Sequence, residues 1–485
     1  MHTTSKLSTK KTWAKAIAQP AAEFPPTSLP ILAGEIPTRL RGTLYRNGPA
    51  RLERGGQRMG HWFDGDGAIL AVHFTSPLEK EGKGGSGATG LYRYVQTTGY
   101  KEEAAHERLL YGNYGMTAPG AIWNKWFKAI KNVANTSLLA LPDKLLALWE
   151  GGKPHALDLQ TLETKGEDDL SGLNNLPYSA HYKRDPDTGE IFNFGISPGI
   201  NAQLNLYKSN STGKIIQKAS FPLEGVPVVH DFVMAGQYLV FFIPPVRLNA
   251  LPVLTGLSSY SDSLEWQPSN GTQILVFDRE TLSLVSRGET EPWYQWHFGN
   301  GYVDKSGLVI VDVVRYEDFQ TNQYLKEVAT GQTHTPAKST LWRITLEPQA
   351  GKVKAIEQVL DRHCEFPIVP QHLLGKASRY TYLSVHRPEV DTSREMFGAI
   401  AQFDHKTGNI KVADMGAHRY PMEPIYAPDP ENPERGWIVT VVYDGSIDQS
   451  EVVVFESDRL DQSPVCRLKL PSVVPMGFHG TWRQA

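Results

Sequence analysis

The chain has 485 residues, of which 40% are hydrophobic and 21% charged, the composition of an ordinary soluble globular protein. Its net charge of −3, with both signs mixed along the chain, excludes bulk attraction to nucleic acid. Two cysteines, Cys364 and Cys466, cannot build a disulfide framework, which points to a reducing compartment; with no Cys/His zinc spacing, any metal must be held by nitrogen or oxygen.

Residues 1–20 carry Ser, Thr and Lys, with no arginine, no acid before Glu23 and no apolar signal-peptide core. We read residues 1–30 as an N-terminal arm, partly disordered or membrane-associated, and residues 31–485 as a single domain. No apolar run approaches the roughly 18 residues of a membrane span. From about Arg39 onward, short β-branched or aromatic runs alternate with turn residues. Val276-Phe277-Asp278-Arg279-Glu280-Thr281-Leu282 and Gln402-Phe403-Asp404-His405-Lys406-Thr407-Gly408 share a strand–turn–strand pattern, and similar segments begin near Ala156, Leu206, Ile344 and Val454. They recur at roughly 50 to 70 residues, long for a propeller blade but consistent with blades carrying insertions. With residues 44–100 they make about seven units, so the pattern predicts an all-β, seven-bladed β-propeller. A pair of β-sandwiches explains the even spacing less well.

Two segments break the strand pattern. In residues 121–131, Trp123, Trp126, Phe127 and Ile130 recur at helical spacing while Lys125, Lys128 and Lys131 fall elsewhere. That arrangement suits a helix lying on a membrane surface, or one that caps the propeller with ordinary solvated lysines. A second apolar loop, residues 248–257, is either another membrane contact or a lid.

Of 15 histidines, most have polar, charged or turn-forming neighbours; His2, His106 and His405 are expected in solvent and His73 in a strand. Four follow or interrupt apolar segments: His181, His230, His297 and His479. Lying in different repeats, they converge only where the units meet, which in a propeller is the axis. Four imidazoles suit iron, zinc or copper. Glu150, Glu365 and Glu423 also sit among apolar residues, where an unpaired carboxylate costs several kcal/mol. A metal-bound imidazole offers its second N–H to such a group; three separate arginine salt bridges are the alternative.

These residues, with Tyr45-Arg46-Asn47-Gly48-Pro49, Phe63-Asp64-Gly65-Asp66-Gly67, Ala134-Asn135-Thr136, Trp149-Glu150, Glu365-Phe366-Pro367, Glu423-Pro424 and Phe478-His479-Gly480-Thr481-Trp482, make the chain resemble the carotenoid cleavage oxygenases, most closely the compact cyanobacterial members. The resemblance implies a dome of loops and short helices over one axial Fe(2+) per chain, bound by His181, His230, His297 and His479. It implies that Glu150, Glu365 and Glu423 orient His230, His297 and His479 respectively, leaving His181 without a carboxylate, and that Thr136 crowds an open coordination position. Trp149, Trp296 and Phe366 would line an apolar tunnel. The implied activity is O2-dependent cleavage of a conjugated double bond in a carotenoid or apocarotenoid, giving two carbonyl products such as apocarotenals or retinal. Such substrates live in membranes, so the expectation is a cytoplasmic monomer bound peripherally to a membrane through Trp123, Trp126, Phe127 and Ile130. The chain departs from the family pattern beside His297, where Phe298 replaces a common second histidine, Gly301 a common alanine and Trp296 a common phenylalanine. Competing readings are a stilbene-cleaving relative, disfavoured because Trp149 stands where those enzymes tend to have a lysine, a visual-cycle-type isomerase, disfavoured by the short chain, and a non-catalytic scaffold.

Overall fold

In the strand Asp66–Phe74, Ile69 and Ala71 face one side of the sheet and Leu70 and Val72 the other, and all four are buried. A sheet apolar on both faces must be covered on both. Here other sheets do the covering. The computed structural model describes residues 11–75, 87–121, 123, 125 and 130–485, and arranges them as seven antiparallel sheets of four to six strands. Ile69 and Ala71 pack against the second sheet, through Leu138, Leu145 and Ala147. Leu70 and Val72 pack against the seventh, through Val439, Val452 and Leu468. Five further apolar clusters join second to third, third to fourth, and so on to sixth with seventh, so the ring closes.

The architecture is thus the expected all-β, seven-bladed β-propeller. Outermost strands such as Ile215–Pro222 alternate buried and open positions, because only one of their faces meets a neighbour. Ring closure uses both chain ends: Gly480–Gln484 pairs with Gly42–Arg51, placing Thr481 opposite Tyr45, and Ile31–Gly34 pairs with Cys466–Lys469. Helix Gln320–Val328, the short helices Thr12–Ile17 and Trp62–Asp64 and loop residues form a cap whose core holds Trp13, Trp62, Tyr324, Met476 and Phe478.

Two expectations need correction. The N-terminal arm is packed from Thr12 onward: Thr12–Ile17 is a short helix with Trp13, Ala14, Ala16 and Ile17 buried, and Phe24–Ser28 is the outer strand of the first blade. The expected amphipathic helix does not run through Lys131, because Ile130 bridges to Gly112 and Lys131 is buried. The Lys131 ammonium pairs with Asp66 and Glu103, and Arg54 approaches both acids, a balanced cluster that local spacing gives no hint of. Trp126 and Phe127 lie outside the described residues.

Candidate metal centre

The innermost strand of each blade starts beside the axis, and the predicted histidines stand at four of those starts. His181 precedes Lys183–Arg184, His230 precedes Val233–Ala235, His297 adjoins Phe298–Val303 and His479 adjoins Gly480–Gln484. The structure therefore brings all four together. Between ring centroids, His181 lies 4.2 Å from His230, 5.2 Å from His297 and 4.8 Å from His479, and His297 lies 4.7 Å from His479. Among the described residues, donor atoms of His181, His297 and His479 lie within 4.8 Å of one another, as do those of Glu150, His181 and His230.

Two of the rings are held by carboxylates. His297 Nδ1 donates to Glu365 Oε2 at 2.6 Å, and His479 Nδ1 to Glu423 Oε1 at 2.9 Å. A neutral imidazole carries one N–H, so both Nε2 atoms are left with lone pairs. Those two Nε2 atoms face each other at 3.1 Å, and both rings are buried. Two buried lone pairs at that distance repel unless something positive lies between them. Two imidazoles bound at right angles to one ion, at about 2.1 Å each, have nitrogens about 3.0 Å apart. The donor set fits a metal.

The protonation states agree. Burial, with the neighbouring imidazoles, pulls His181 and His230 well below the ordinary histidine range, and burial also lowers His479 despite Glu423. Neutral imidazole is the ligand form. His297 is the exception: burial opposes its charge, but the charge and hydrogen bond of Glu365 leave it raised. A proton on its Nε2 would point at His479, the place a cation would take. Burial alone would raise Glu423, yet His479, Arg46 and the Gly480 N–H hold it below the usual carboxylate value.

Glu150 differs from the expectation that it serves His230 and leaves His181 free. Its Oε1 lies 3.5 Å from His181 Nε2 and 3.6 Å from His230 Nδ1, equally near both and in hydrogen-bond contact with neither. Oε2 accepts from the Ser179 hydroxyl at 3.3 Å. Burial, reinforced by Asp231, pushes its carboxyl up to about 8.

Behind the carboxylates stand residues that the sequence reading did not assign. The Tyr316 hydroxyl donates to Glu365 Oε1 at 3.0 Å. Arg46, 2% exposed, donates to Glu423 Oε2 at 3.2 Å and to the carbonyls of Glu423 and Phe478. Asn47 bonds the carbonyls of Ala134 and Ser137, and its backbone pairs with Phe478 and His479. A Cβ on Gly48 would collide with the Gly477 Cα, so both positions need glycine for the chains to touch. Together these explain the Tyr45-Arg46-Asn47-Gly48-Pro49 motif: it ties the C-terminal histidine strand to the axis. Phe366 sits in the left-handed region at φ 53°, a strain of about 1–2 kcal/mol. Its ring stacks on His297 at 5.3 Å.

Of the remaining predicted residues, Thr136 accepts from the His479 N–H through its carbonyl, while its hydroxyl is committed to Asn135 Oδ1. The Trp296 ring meets His230 edge-on at 4.8 Å, and its Nε1 donates to Thr321. Trp149 packs over Gly151 and Gly152. An axial cavity of about 170 Å³ touches His181, His297, His479 and Phe366, and its walls include the Lys183–Asp231 pair, Ile368 and Leu374; Thr136, Trp149 and Trp296 do not line it. His405 is not in solvent as expected, since its ring sits between Arg343 and Thr381.

The profile of the retinal pigment epithelial membrane protein (RPE65) family matches residues 17–484. The chain belongs to this carotenoid oxygenase family. Among curated relatives, it is 31% identical over 468 residues to apocarotenoid-15,15'-oxygenase of Synechocystis, covering 93% of this chain and 92% of that protein. It is 26% identical over 475 residues to resveratrol cleavage oxygenase 1 of Aspergillus fumigatus, covering 93% and 91%. Among solved structures, the cobalt-substituted Synechocystis apocarotenoid oxygenase superposes with a TM-score of 0.87 at 28% identity, over 98% of each chain. As a carotenoid oxygenase family member, the chain is an enzyme of the oxygenase class.

Proposed function

We propose that this enzyme is an Fe(2+)-dependent dioxygenase that uses O2 to cleave a conjugated double bond of a carotenoid or apocarotenoid, giving two carbonyl products. The observation that carries the reading is the pair of inward Nε2 lone pairs of His297 and His479, 3.1 Å apart, in a cluster of four imidazoles backed by carboxylates. His181, His230, His297 and His479 would hold one iron. When bound, iron supplies activation of O2 toward an electron-rich double bond.

The chain's own residues account for positioning. Glu365 and Glu423 fix the tautomer and orientation of His297 and His479. The axial cavity, about 170 Å³, is smaller than the roughly 300–1,000 Å³ of ligand sites, so it does not seat a long polyene. A row of rings supports approach from the other side: Tyr260 to Tyr114 at 5.6 Å, Tyr114 to Phe63 at 5.5 Å, Phe63 to Trp296 at 5.5 Å, and Trp296 to His230. Aromatic faces suit a conjugated substrate and exclude water. That row starts next to residues 250–257, where Leu251, Leu254 and Leu257 are each at least 70% exposed, as is Trp123. Lys125 packs beside Gly256, so the two apolar segments adjoin. Such a patch fits peripheral membrane docking by a monomer that draws its substrate from the bilayer. Among the described residues, no helix is long and apolar enough to cross a membrane.

Phenolic alkene cleavage is the second reading, favoured by the likeness to the resveratrol-cleaving relative and opposed by Trp149 next to Glu150. Incubating iron-loaded enzyme under O2 with a C40 carotenoid, an apocarotenal and resveratrol, each separately, decides between them. Aldehydes from a polyene and none from resveratrol are expected; the reverse would replace the first reading with the second.

A further inference from the structure

The two well-formed carboxylate–imidazole pairs have different outer partners. Glu365 is backed by a neutral phenol, Tyr316, which brings no positive charge to offset the carboxylate beside His297. Glu423 is backed by a guanidinium, Arg46, 3.2 Å away and also buried, so its charge toward His479 is partly offset. Burial lowers Arg46 to about 10, which leaves it protonated at neutral pH. Near a buried ion, screening by water is weak, and a charge two residues removed is still felt.

We propose that Arg46 is a positioning residue that favours the dipositive state of the bound metal, by offsetting the charge of Glu423 behind His479. Without that cation the axial cluster carries one more negative charge, which favours the tripositive ion. Arg46 would then set how readily the resting iron is lost to oxidation, apart from any contact with substrate. The argument rests on the metal reading above.

The test is the Fe(3+)/Fe(2+) reduction potential of the loaded full-length enzyme, with iron content measured alongside. Arg46→Gln removes the charge while leaving a polar side chain at the position. It is expected to raise the Fe(3+)/Fe(2+) ratio at a fixed potential at least tenfold, a fall of about 59 mV. Arg46→Lys, which keeps the charge, is expected to stay within threefold of wild type. The double variant Arg46→Gln/Glu423→Gln removes both charges of the pair and is also expected to return to within threefold. A purely structural Arg46 would make the double variant no better than the single one. The proposal is overturned if Arg46→Gln matches wild type, if Arg46→Lys shifts as far as Arg46→Gln, or, should the single variant not fold, if the double variant shifts tenfold. Wild-type enzyme that takes up no iron would instead overturn the metal centre itself, and this proposal with it.

Discussion

Replacing Glu365 or Glu423 by glutamine deletes the same charge on two sides of the histidine cluster, but the hydrogen bonds around them predict unequal costs. At Glu365, Oε2 accepts from His297 Nδ1 and from the Phe366 N–H, both at 2.6 Å, and Oε1 accepts from the Tyr316 hydroxyl. An amide can put its oxygen at the first position and its NH2 toward Tyr316, whose hydroxyl turns round and accepts. Every buried group keeps a partner, so the loss is the charge assistance alone, about 1–2 kcal/mol. At Glu423, Oε1 accepts from His479, and Oε2 from the Gly480 N–H at 2.8 Å and from Arg46. The Gly480 N–H and Arg46 are donors that cannot reverse, and His479 Nδ1 is held as a donor too once its Nε2 binds metal. The amide NH2 must face one of them, and the buried guanidinium loses its counter-charge, which costs about 3–5 kcal/mol. Thermal unfolding of the metal-free proteins and chelator competition for bound metal both read this difference. Glu365→Gln should fold and lose metal affinity by about tenfold, and Glu423→Gln by about a hundredfold or more if it folds at all. Tyr316→Phe alone strands an oxygen of the charged carboxylate, whereas added to Glu365→Gln it strands only a neutral amide N–H, so the double variant should cost about 1 kcal/mol less than the sum of the singles. Equal losses at the two positions, or a larger one at Glu365, would refute the assignment of partners.

Gly301→Ala places a Cβ onto Val233 Cγ1 on the adjacent inner strand, so about 1–3 kcal/mol of overpacking is expected, and Val233→Ala in the same chain should recover most of it in a denaturation series. His61, fully buried, is lowered by burial from 6.5 to about 3. The unfolded chain therefore binds a proton that the folded chain refuses, and stability falls as pH falls from 6.5 toward 3. Between pH 6 and pH 4 wild type should lose about 2.5 kcal/mol more than His61→Gln, read from denaturant midpoints at the two pH values. Changing Leu251, Leu254 and Leu257 together to serine should cut sedimentation with phosphatidylcholine vesicles at least tenfold while leaving the melting temperature in place, since all three are exposed; unchanged vesicle binding would remove the membrane role from this patch.

The propeller was legible because each blade repeats one strand–turn–strand text, and the four histidines because each interrupts an apolar run at the start of an inner strand. Partners were not legible where they come from another blade. Arg46 and Glu423 lie 377 positions apart and Tyr316 and Glu365 49 apart, so no local spacing signals either pair. Lys131 looked solvated because its neighbours are lysines and apolar rings; its counter-ions, Asp66 and Glu103, arrive from elsewhere in the chain. The departures at Phe298 and Gly301 have packing reasons. Phe298 is buried between the fourth and fifth blades, and Gly301 makes room for Val233. Glu150, expected to serve His230 alone, stands as near to His181, and local sequence spacing does not separate two histidines that arrive from different blades.

The central claim is that the axial cluster is a metal site, and iron analysis of the purified protein beside His297→Ala and His479→Ala tests it most directly. About one iron per chain is expected in wild type, with most of it lost in either variant while circular dichroism shows the fold retained. Absence of iron from wild type under Fe(2+) reconstitution, or iron that survives loss of both histidines, would contradict it.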